Sequence, residues 1–406
     1  MVLLAAVLVA VLAGCGSTPA GPSTRASAPT AIRLPLATTL TESGGTSWAV
    51  IDMGGSSAKL ENFWQLFARP ATARTASAAS WSLATPPGVA DNGGLVTAPL
   101  GGPALVTGFN PSQDLKFSPL ATTRDGGTRW APGLLPAGLA AVPSALAAGP
   151  GGRLIALTNR GLAEITAAGG AGWTRLASLA SLAATPAARA CRLRSLTAAA
   201  FSPAGVPLLA GQCAVPGVAG IFAFSGGSWH RAGPALPAAL ARQRVSVLRL
   251  TAAGRSTIAL LTATTPDGAA SLIAGWAAAT GRWTLSAPLP LDGARILSTA
   301  TGTAFGAYPA LAATVAHPRA ASAAGVILST GRGETITDHQ AHWQLLPALP
   351  PHATALVLGP GRQLSVLAAR GSILTSWRPA ARAASAGFAW TRTQTVRVPV
   401  PYGSSG

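Results

Sequence analysis

After its first fifteen residues the chain alternates short apolar runs with Gly, Pro, Ser and Thr, and no run reaches the roughly 18 residues that a membrane span needs. The runs are too short for paired turns of an amphipathic helix, and none repeats at 3.6 residues after residue 45. Strands are predicted instead, with tight turns between them. Residues 145–161, ALAAGPGGRLIALTNRG, show the pattern as two apolar strands around Gly-Pro-Gly, a hairpin. Residues 355–371, ALVLGPGRQLSVLAARG, repeat it without a gap at an offset of 210. Nine of seventeen positions are identical: Ala145, Leu146, Gly149, Pro150, Gly151, Leu154, Leu157, Arg160 and Gly161. Biased composition does not readily place Gly-Pro-Gly and Arg-Gly together in register.

Tryptophan carries the same period. Trp81, Trp130, Trp173, Trp229, Trp283, Trp343 and Trp390 follow one another by 49, 43, 56, 54, 60 and 47 residues, so four steps come close to the 210 offset. Several share Pro-rich text after the Trp, as in GGSWHRAGPALP, TGRWTLSAPLP and HWQLLPALP. A period near 50 with three or four short strands per unit predicts an all-β fold, a seven-bladed β-propeller filling residues 46–406, the count being seven give or take one. Sandwiches and barrels do not require an evenly spaced aromatic. Each of the seven tryptophans is expected on an outer strand, packed between adjacent blades and burying something like 200 Å2. Ring closure is expected from a blade completed by both ends of the chain, with Ala31–Leu40 and Val396–Tyr402 as partners. Ser47-Trp48-Ala49-Val50 reads as the opening of an inner strand.

The first residues change the picture. Val2–Ala13 is an uncharged apolar stretch that ends in Leu12-Ala13-Gly14-Cys15. It is too short to span a bilayer and suits the apolar region of a signal peptide. The four residues resemble the bacterial lipobox, which implies removal of residues 1–14 and lipid attachment at Cys15, with small residues admitting the backbone to a peptidase and the thiol accepting an acyl group. Residues 15–45 are rich in Ser, Thr, Pro, Ala and Gly, and read as a flexible tether. Acyl chains add roughly 0.8 kcal/mol per buried methylene, so two or more anchor a domain stably at the extracytoplasmic face of a cell membrane. With Cys15 acylated, Cys191 and Cys213 remain as an even pair flanking one strand pair, and a disulfide is expected in an oxidising compartment.

Charge adds less. The chain has a net charge of +18 but only 10% charged residues, with Lys59 and Lys116 its two lysines and arginine the rest of its cations. That skew fits the codon choice of a GC-rich genome. Nucleic-acid binding predicts arginines clustered on one element with aromatics between them. Here they are scattered singly from Arg25 to Arg397, so nucleic acid is excluded from the expected partners.

Thr123-Arg124-Asp125-Gly126-Gly127-Thr128-Arg129-Trp130 resembles the Asp-box (BNR) motif, Ser/Thr-x-Asp-x-Gly-x-x-Trp, of sialidase-like propellers. Thr166–Trp173 keeps the frame with Ala168 in place of Asp, and Thr337-Asp338…Trp343, Ser225–Trp229 and Gly281–Trp283 are decayed copies. The likeness covers about nine-tenths of the chain at fold level and implies an actinobacterial-type lipoprotein with a sialidase-like propeller. It also makes Thr123, Asp125, Gly127 and Trp130 a structural turn, in which the carboxylate accepts backbone N–H bonds and Gly takes positive φ.

Sialidases of this family use three arginines, a Tyr activated by a Glu, and an Asp. Arg33-Leu34-Pro35 matches the first arginine's motif faintly, while the tyrosines stop at Tyr308 and Tyr402 and the glutamates at Glu42, Glu61, Glu164 and Glu334. No carboxylate pair stands out, so no catalytic residue is assigned. Asp338-His339-Gln340-Ala341-His342 holds ligand-type side chains but sits at an expected hairpin tip, so neither metal nor cofactor is expected. Gly-rich stretches lack a following Lys-Ser/Thr, and no Ser lies in a Gly-x-Ser-x-Gly elbow. The expectation is a non-catalytic binding or scaffold module at the cell envelope, whose partner is an envelope protein or an anionic glycan. The alternatives are a sialidase-like glycoside hydrolase and a structural subunit of an envelope assembly.

Overall fold

β-Branched and aliphatic residues between Gly- and Pro-rich turns form strands throughout. The computed structural model describes residues 36–41, 45–54, 63–70, 80–86, 94–98, 105–109, 120–133, 143–158, 160–167, 172–253, 255–277, 281–302, 310–317, 323–330, 341–346, 349–359, 363–380 and 389–399. Their strands form six sheets, one of them eight-stranded through a parallel pair; divided into antiparallel runs in chain order they make seven four-stranded units, the fifth with one extra strand.

The first unit comprises β1 (Ala37–Thr41), β2 (Ser47–Met53), β3 (Phe63–Arg69) and β4 (Ser82–Leu83). The second has β5 (Gly94–Thr97), β6 (Leu105–Phe109), β7 (Leu120–Thr123) and β8 (Ala131–Gly133). In the third are β9 (Pro143–Ala148), β10 (Leu154–Thr158), β11 (Leu162–Thr166) and β12 (Trp173–Ser178). Two short helices follow, α1 (Leu179–Ala183) and α2 (Pro186–Arg189). The fourth unit holds β13 (Leu193–Phe201), β14 (Pro207–Cys213), β15 (Gly220–Ser225) and β16 (Ser228–Arg231). Next come β17 (Arg244–Ala253), β18 (Ser256–Thr264), β19 (Ala270–Ala277) and β20 (Trp283–Leu285), with β21 (Leu289–Pro290) also on β19. The sixth contains β22 (Arg295–Gly302), β23 (Ala310–Ala316), β24 (Ala324–Thr330) and β25 (Ala341–Leu346). The seventh comprises β26 (Ala353–Leu358), β27 (Leu364–Arg370), β28 (Ile373–Pro379) and β29 (Trp390–Arg397).

Each unit's tryptophan stands on or beside its outermost strand and packs against the preceding unit. Trp130 packs on the first unit's cluster around Trp48 and Phe67, and Trp173 on Leu120 of the second. Trp229 joins Ile155 and Leu157 of the third unit, and Trp283 joins Leu208 and Ile221 of the fourth. Trp343 lies against Ile258 and Trp276 of the fifth, and Trp390 against Ala300 and Ala312 of the sixth. Trp81 completes the circuit, buried with Val357, Leu367 and Leu374 of the seventh. Sheets packed face to face in a closed ring define a β-propeller. The chain is a β-propeller.

Closure differs from the expectation. Among the described residues β29 pairs with β28 alone, and β1 pairs with β2 and β22 rather than with β29. The ring shuts instead by side-by-side bonds between the first and seventh units. Trp81 N–H donates to Gln394 Oε1 at 2.7 Å, and Gln394 Nε2 donates to Trp81 O at 2.8 Å. Gly54 and Gly371 exchange two backbone bonds of 3.1 and 2.9 Å. β1 lies inside residues 15–45, read from composition as tether, so the propeller begins upstream of residue 46. It is buried along its whole length, and its threonines are β-branched residues suited to a strand rather than linker polar groups. Ser47–Val50 therefore belongs to a second strand, not an inner one. The helices α1 and α2, absent from the sequence reading, are too short to show a period; caps make them, with Ser178 and Ser181 closing a capping box and Thr185 preceding Pro186.

Candidate functional site at the centre and one mouth of the ring

The innermost strands carry a shared irregularity. Five of them bulge at a matching place, at Ser144, Thr197, Leu248, Leu297 and Thr354, and β13 bulges a second time at Arg194. Ser144 and Thr354 are 210 residues apart, and Gly149 N–H and Gly359 N–H donate to the matching Arg153 O and Gln363 O, so the sequence repeat is a true structural register. The bulge brings side chains and carbonyls of neighbouring inner strands together. Thr197 Oγ1 donates to Val247 O at 2.6 Å, and Thr39 Oγ1 to Leu356 O at 2.6 Å.

β1 departs from this arrangement. It pairs in parallel with β22, from Ala37↔Ser298 to Thr41↔Gly302, and so joins the first and sixth units into one eight-stranded sheet. Thr38, Thr39 and Thr41 of β1 and Ser298, Thr299 and Thr301 of β22 are buried there. The centre is thus a layer of hydroxyls rather than of carboxylates among the described residues.

Arg249 lies in that layer. Its Nη1 donates to Thr299 Oγ1 at 2.8 Å and to Thr299 O at 3.3 Å, and its Nη2 donates to Thr301 Oγ1 at 3.0 Å. Desolvation pushes the guanidinium down to about 10, so it is still charged at neutral pH. The guanidinium is enclosed by protein, while the residue as a whole is only partly buried.

Every inner strand starts at the same mouth, where the crossover from the preceding outer strand arrives. Arg192, Arg194, Arg242, Arg244 and Arg295 lie within two residues of the starts of β13, β17 and β22, and all are exposed. His352, exposed, precedes β26. The three non-glycine residues with positive φ among the described residues are also here: Arg192 (54°), Asp292 (46°) and His352 (62°). Left-handed backbone is costly for such residues and concentrates where surrounding structure fixes a presented side chain. For Arg192 that structure is the Cys191–Cys213 disulfide, together with a 2.9 Å bond from Ala214 N–H to Arg192 O. At the opposite mouth Arg153 is folded down, stacked 5.1 Å from the Phe201 ring and bonded to Gly205 O at 3.2 Å.

Two further ionisable groups sit between the first and seventh units. Arg69 lies 5.0 Å above the Trp81 ring and donates to Ser365 Oγ and Ser47 Oγ, both at 3.2 Å. Burial, with the Arg378 charge adding to it, lowers its pKa to about 10. Asp52 Oδ1 is buried without a hydrogen-bond partner, and burial raises its carboxyl to about 6.

The Asp-box turn stands apart from this centre, between the third and outermost strands of the second unit. Thr123 Oγ1 donates to Asp125 Oδ1 at 2.9 Å, and Arg129 N–H donates to the same oxygen at 2.9 Å. These bonds hold the exposed Asp125 carboxyl below its usual range, the Arg129 N–H first. Gly127 has φ 92° and faces Trp48 and Ala84 of the first unit. The turn shapes a blade contact. Cys15, Arg33, Glu42, Glu61, Tyr308, Glu334, Asp338, His339 and Tyr402 lie outside the described residues; Glu164 is buried in β11. Sequence reading missed Arg249 and the basic mouth, whose signal was one arginine or arginine pair recurring near the starts of three consecutive units, the fourth to the sixth.

No protein-family model and no curated protein matches the chain. Among solved structures it is similar to YCF48 bound to D1 peptide, with 16% identity over 62% of this chain and 66% of that one and a TM-score of 0.34. A second similarity is to the SapL1 lectin in complex with alpha methyl fucoside, at 14% identity, 79% and 98% coverage and a TM-score of 0.43. A third is to Trypanosoma rangeli sialidase in complex with sialic acid, at 9% identity, 86% and 68% coverage and a TM-score of 0.36. The chain spans about two thirds of the first of these. All three TM-scores fall below 0.5, and no ligand or activity is carried over from them.

Proposed function

We propose that this protein is a non-catalytic binding module of the cell envelope, held at the extracytoplasmic face of the membrane by lipid on Cys15, with residues 1–14 removed, a tether ending before β1, and a seven-bladed ring that docks an anionic glycan at its basic mouth. One observation carries the reading: five exposed arginines from three consecutive inner-strand starts gather on one rim. Exposed guanidiniums bind carboxylate groups bidentately while remaining hydrated when empty, so they suit a reversible polyanion site. Held above an anionic envelope, the rim also gains long-range attraction that salt screens within about 10 Å at 0.1 M.

The experiment is retention of the purified propeller on immobilised polygalacturonate, with neutral dextran as control. Retention on the uronate and not on dextran is expected, together with loss of most retention in the Arg242→Gln/Arg244→Gln/Arg295→Gln variant. Equal retention of the variant would refute the mouth as the site, and tighter binding to single-stranded DNA would replace glycan by nucleic acid. No release of fluorophore from a fluorogenic sialoside is expected. For the anchor, Cys15→Ala should move the protein from the membrane fraction to the medium.

A further inference from the structure

Arg249 occupies a place where the repeat uses small residues. The residues following the five bulges are Ala145, Ala198, Arg249, Ser298 and Ala355. A guanidinium at an alanine position is not demanded by the blade. Nor is it neutralised among the described residues: none of its hydrogen bonds there goes to a carboxylate, and burial alone accounts for its lowered basicity. An enclosed cation without a counter-charge is costly, and the cost is relieved by an anion.

The hydrogen bonds also say which edge is open. A guanidinium has five N–H groups. Thr299 and Thr301 take the end formed by Nη1 and Nη2, which leaves the Nε–H and the second Nη2–H without partners among the described residues. Those two N–H groups point the same way and match two oxygens of one carboxylate or phosphate group. Arg249 is only partly buried as a residue, so the ring interior around it is not sealed off. Threonine hydroxyls pin the other edge, and a pinned guanidinium loses less freedom on binding.

We propose that the Nε–Nη2 edge of Arg249 is a binding site for a single oxyanion group, a carboxylate or phosphate, inside the ring. The inference does not depend on the basic mouth; an empty mouth and an occupied Arg249 are compatible. The oxyanion comes either as a free ion or as the terminus of an anionic chain entering from the mouth at the start of β17, five residues up the strand from Arg249.

The test is arginine-selective 15N labelling of the whole protein and titration of the Nε–Hε signals with acetate, then with inorganic phosphate, at constant ionic strength made up with chloride. Arg249→Lys identifies the Arg249 signal by its loss; Thr301→Val, which removes one Nη2 partner, identifies it independently by a shift if the lysine variant does not fold. One signal, that of Arg249, is expected to move saturably while the exposed arginines drift together. An Arg249 signal that stays put, or moves linearly with all the rest, overturns the proposal. Repeating the titration with digalacturonate in the Arg242→Gln/Arg244→Gln/Arg295→Gln variant separates the sources. An unchanged midpoint for acetate with a weaker one for digalacturonate marks a chain terminus led in through the mouth. Equal midpoints mark a free ion, and loss of both refutes independence from the mouth.

Discussion

Removing the Cys191–Cys213 disulfide should loosen the mouth without dissolving the ring. The two cysteines are 22 residues apart, and bracket the β13–β14 hairpin. Closing a loop of that size removes denatured-state entropy worth about 3 kcal/mol on the chain-entropy model. Spread over the specific unfolding entropy of a ring of some 360 residues, that corresponds to a fall of about 4 °C in Tm for the Cys191→Ser/Cys213→Ser variant by calorimetry. The folded state should change little, because Val215 N–H still reaches Cys191 O and Ala214 N–H still reaches Arg192 O, at 3.1 and 2.9 Å. Hydrogen exchange should therefore quicken over 179–192 and 213–217 and stay unchanged in the sixth and seventh units. Wild type in reductant should follow the variant. A Tm within 1 °C of wild type would refute the loop-entropy argument, and faster exchange throughout the ring would refute the disulfide's confinement to one unit.

Three further perturbations probe other joints. Asp52 loses its proton near 6 when folded against 3.8 when unfolded, so its contribution is present below about pH 4 and is lost as pH rises through 6. After screening of this partly exposed carboxyl the loss is roughly 1–2 kcal/mol, and Asp52→Asn should abolish that slope in urea titrations from pH 4 to 7.5 and be the more stable protein at pH 7.5. Trp283→Phe deletes the 2.6 Å bond from Trp283 Nε1 to Ala232 O and strands a carbonyl between the fourth and fifth units, costing about 1–3 kcal/mol by the same titration. Gly217→Ala puts a Cβ 2.8 Å from the Ala241 backbone at a φ of 69°, beside the bond from Gly217 N–H to Gln243 O, and should lower both the midpoint of unfolding and retention on polygalacturonate.

The parts of this molecule legible in its sequence are those that one residue type marks once per blade. Tryptophan does so because every outer strand needs a large flat side chain against the preceding sheet, and Gly149 and Gly359 do so because the same closing bond recurs 210 residues apart. The bulge recurs on five inner strands, yet Ser, Thr and Leu all fill it, since a bulge is a backbone register and not a side-chain requirement. β1 overlaps Ala31–Leu40, expected to pair with Val396–Tyr402; Ala-Thr-Thr-Leu-Thr has the composition of a tether and carries no mark of its actual place between β2 and β22. The arginines look scattered along the chain for a geometric reason. At about fifty residues per blade, Arg194, Arg244 and Arg295 are distant in sequence, and the ring returns each to one rim. Arg249 was invisible for a related reason, its two threonine partners being 50 and 52 residues away.

The salt dependence of polygalacturonate binding tests the central claim most directly. Wild type and the Arg242→Gln/Arg244→Gln/Arg295→Gln variant are titrated with the polymer over a series from about 50 to 300 mM NaCl, where the screening length shortens from roughly 14 to 6 Å. The account predicts that wild-type affinity falls steeply along the series and that the variant binds at least tenfold more weakly at low salt with a much flatter dependence. Identical affinities and slopes for the two proteins would contradict it.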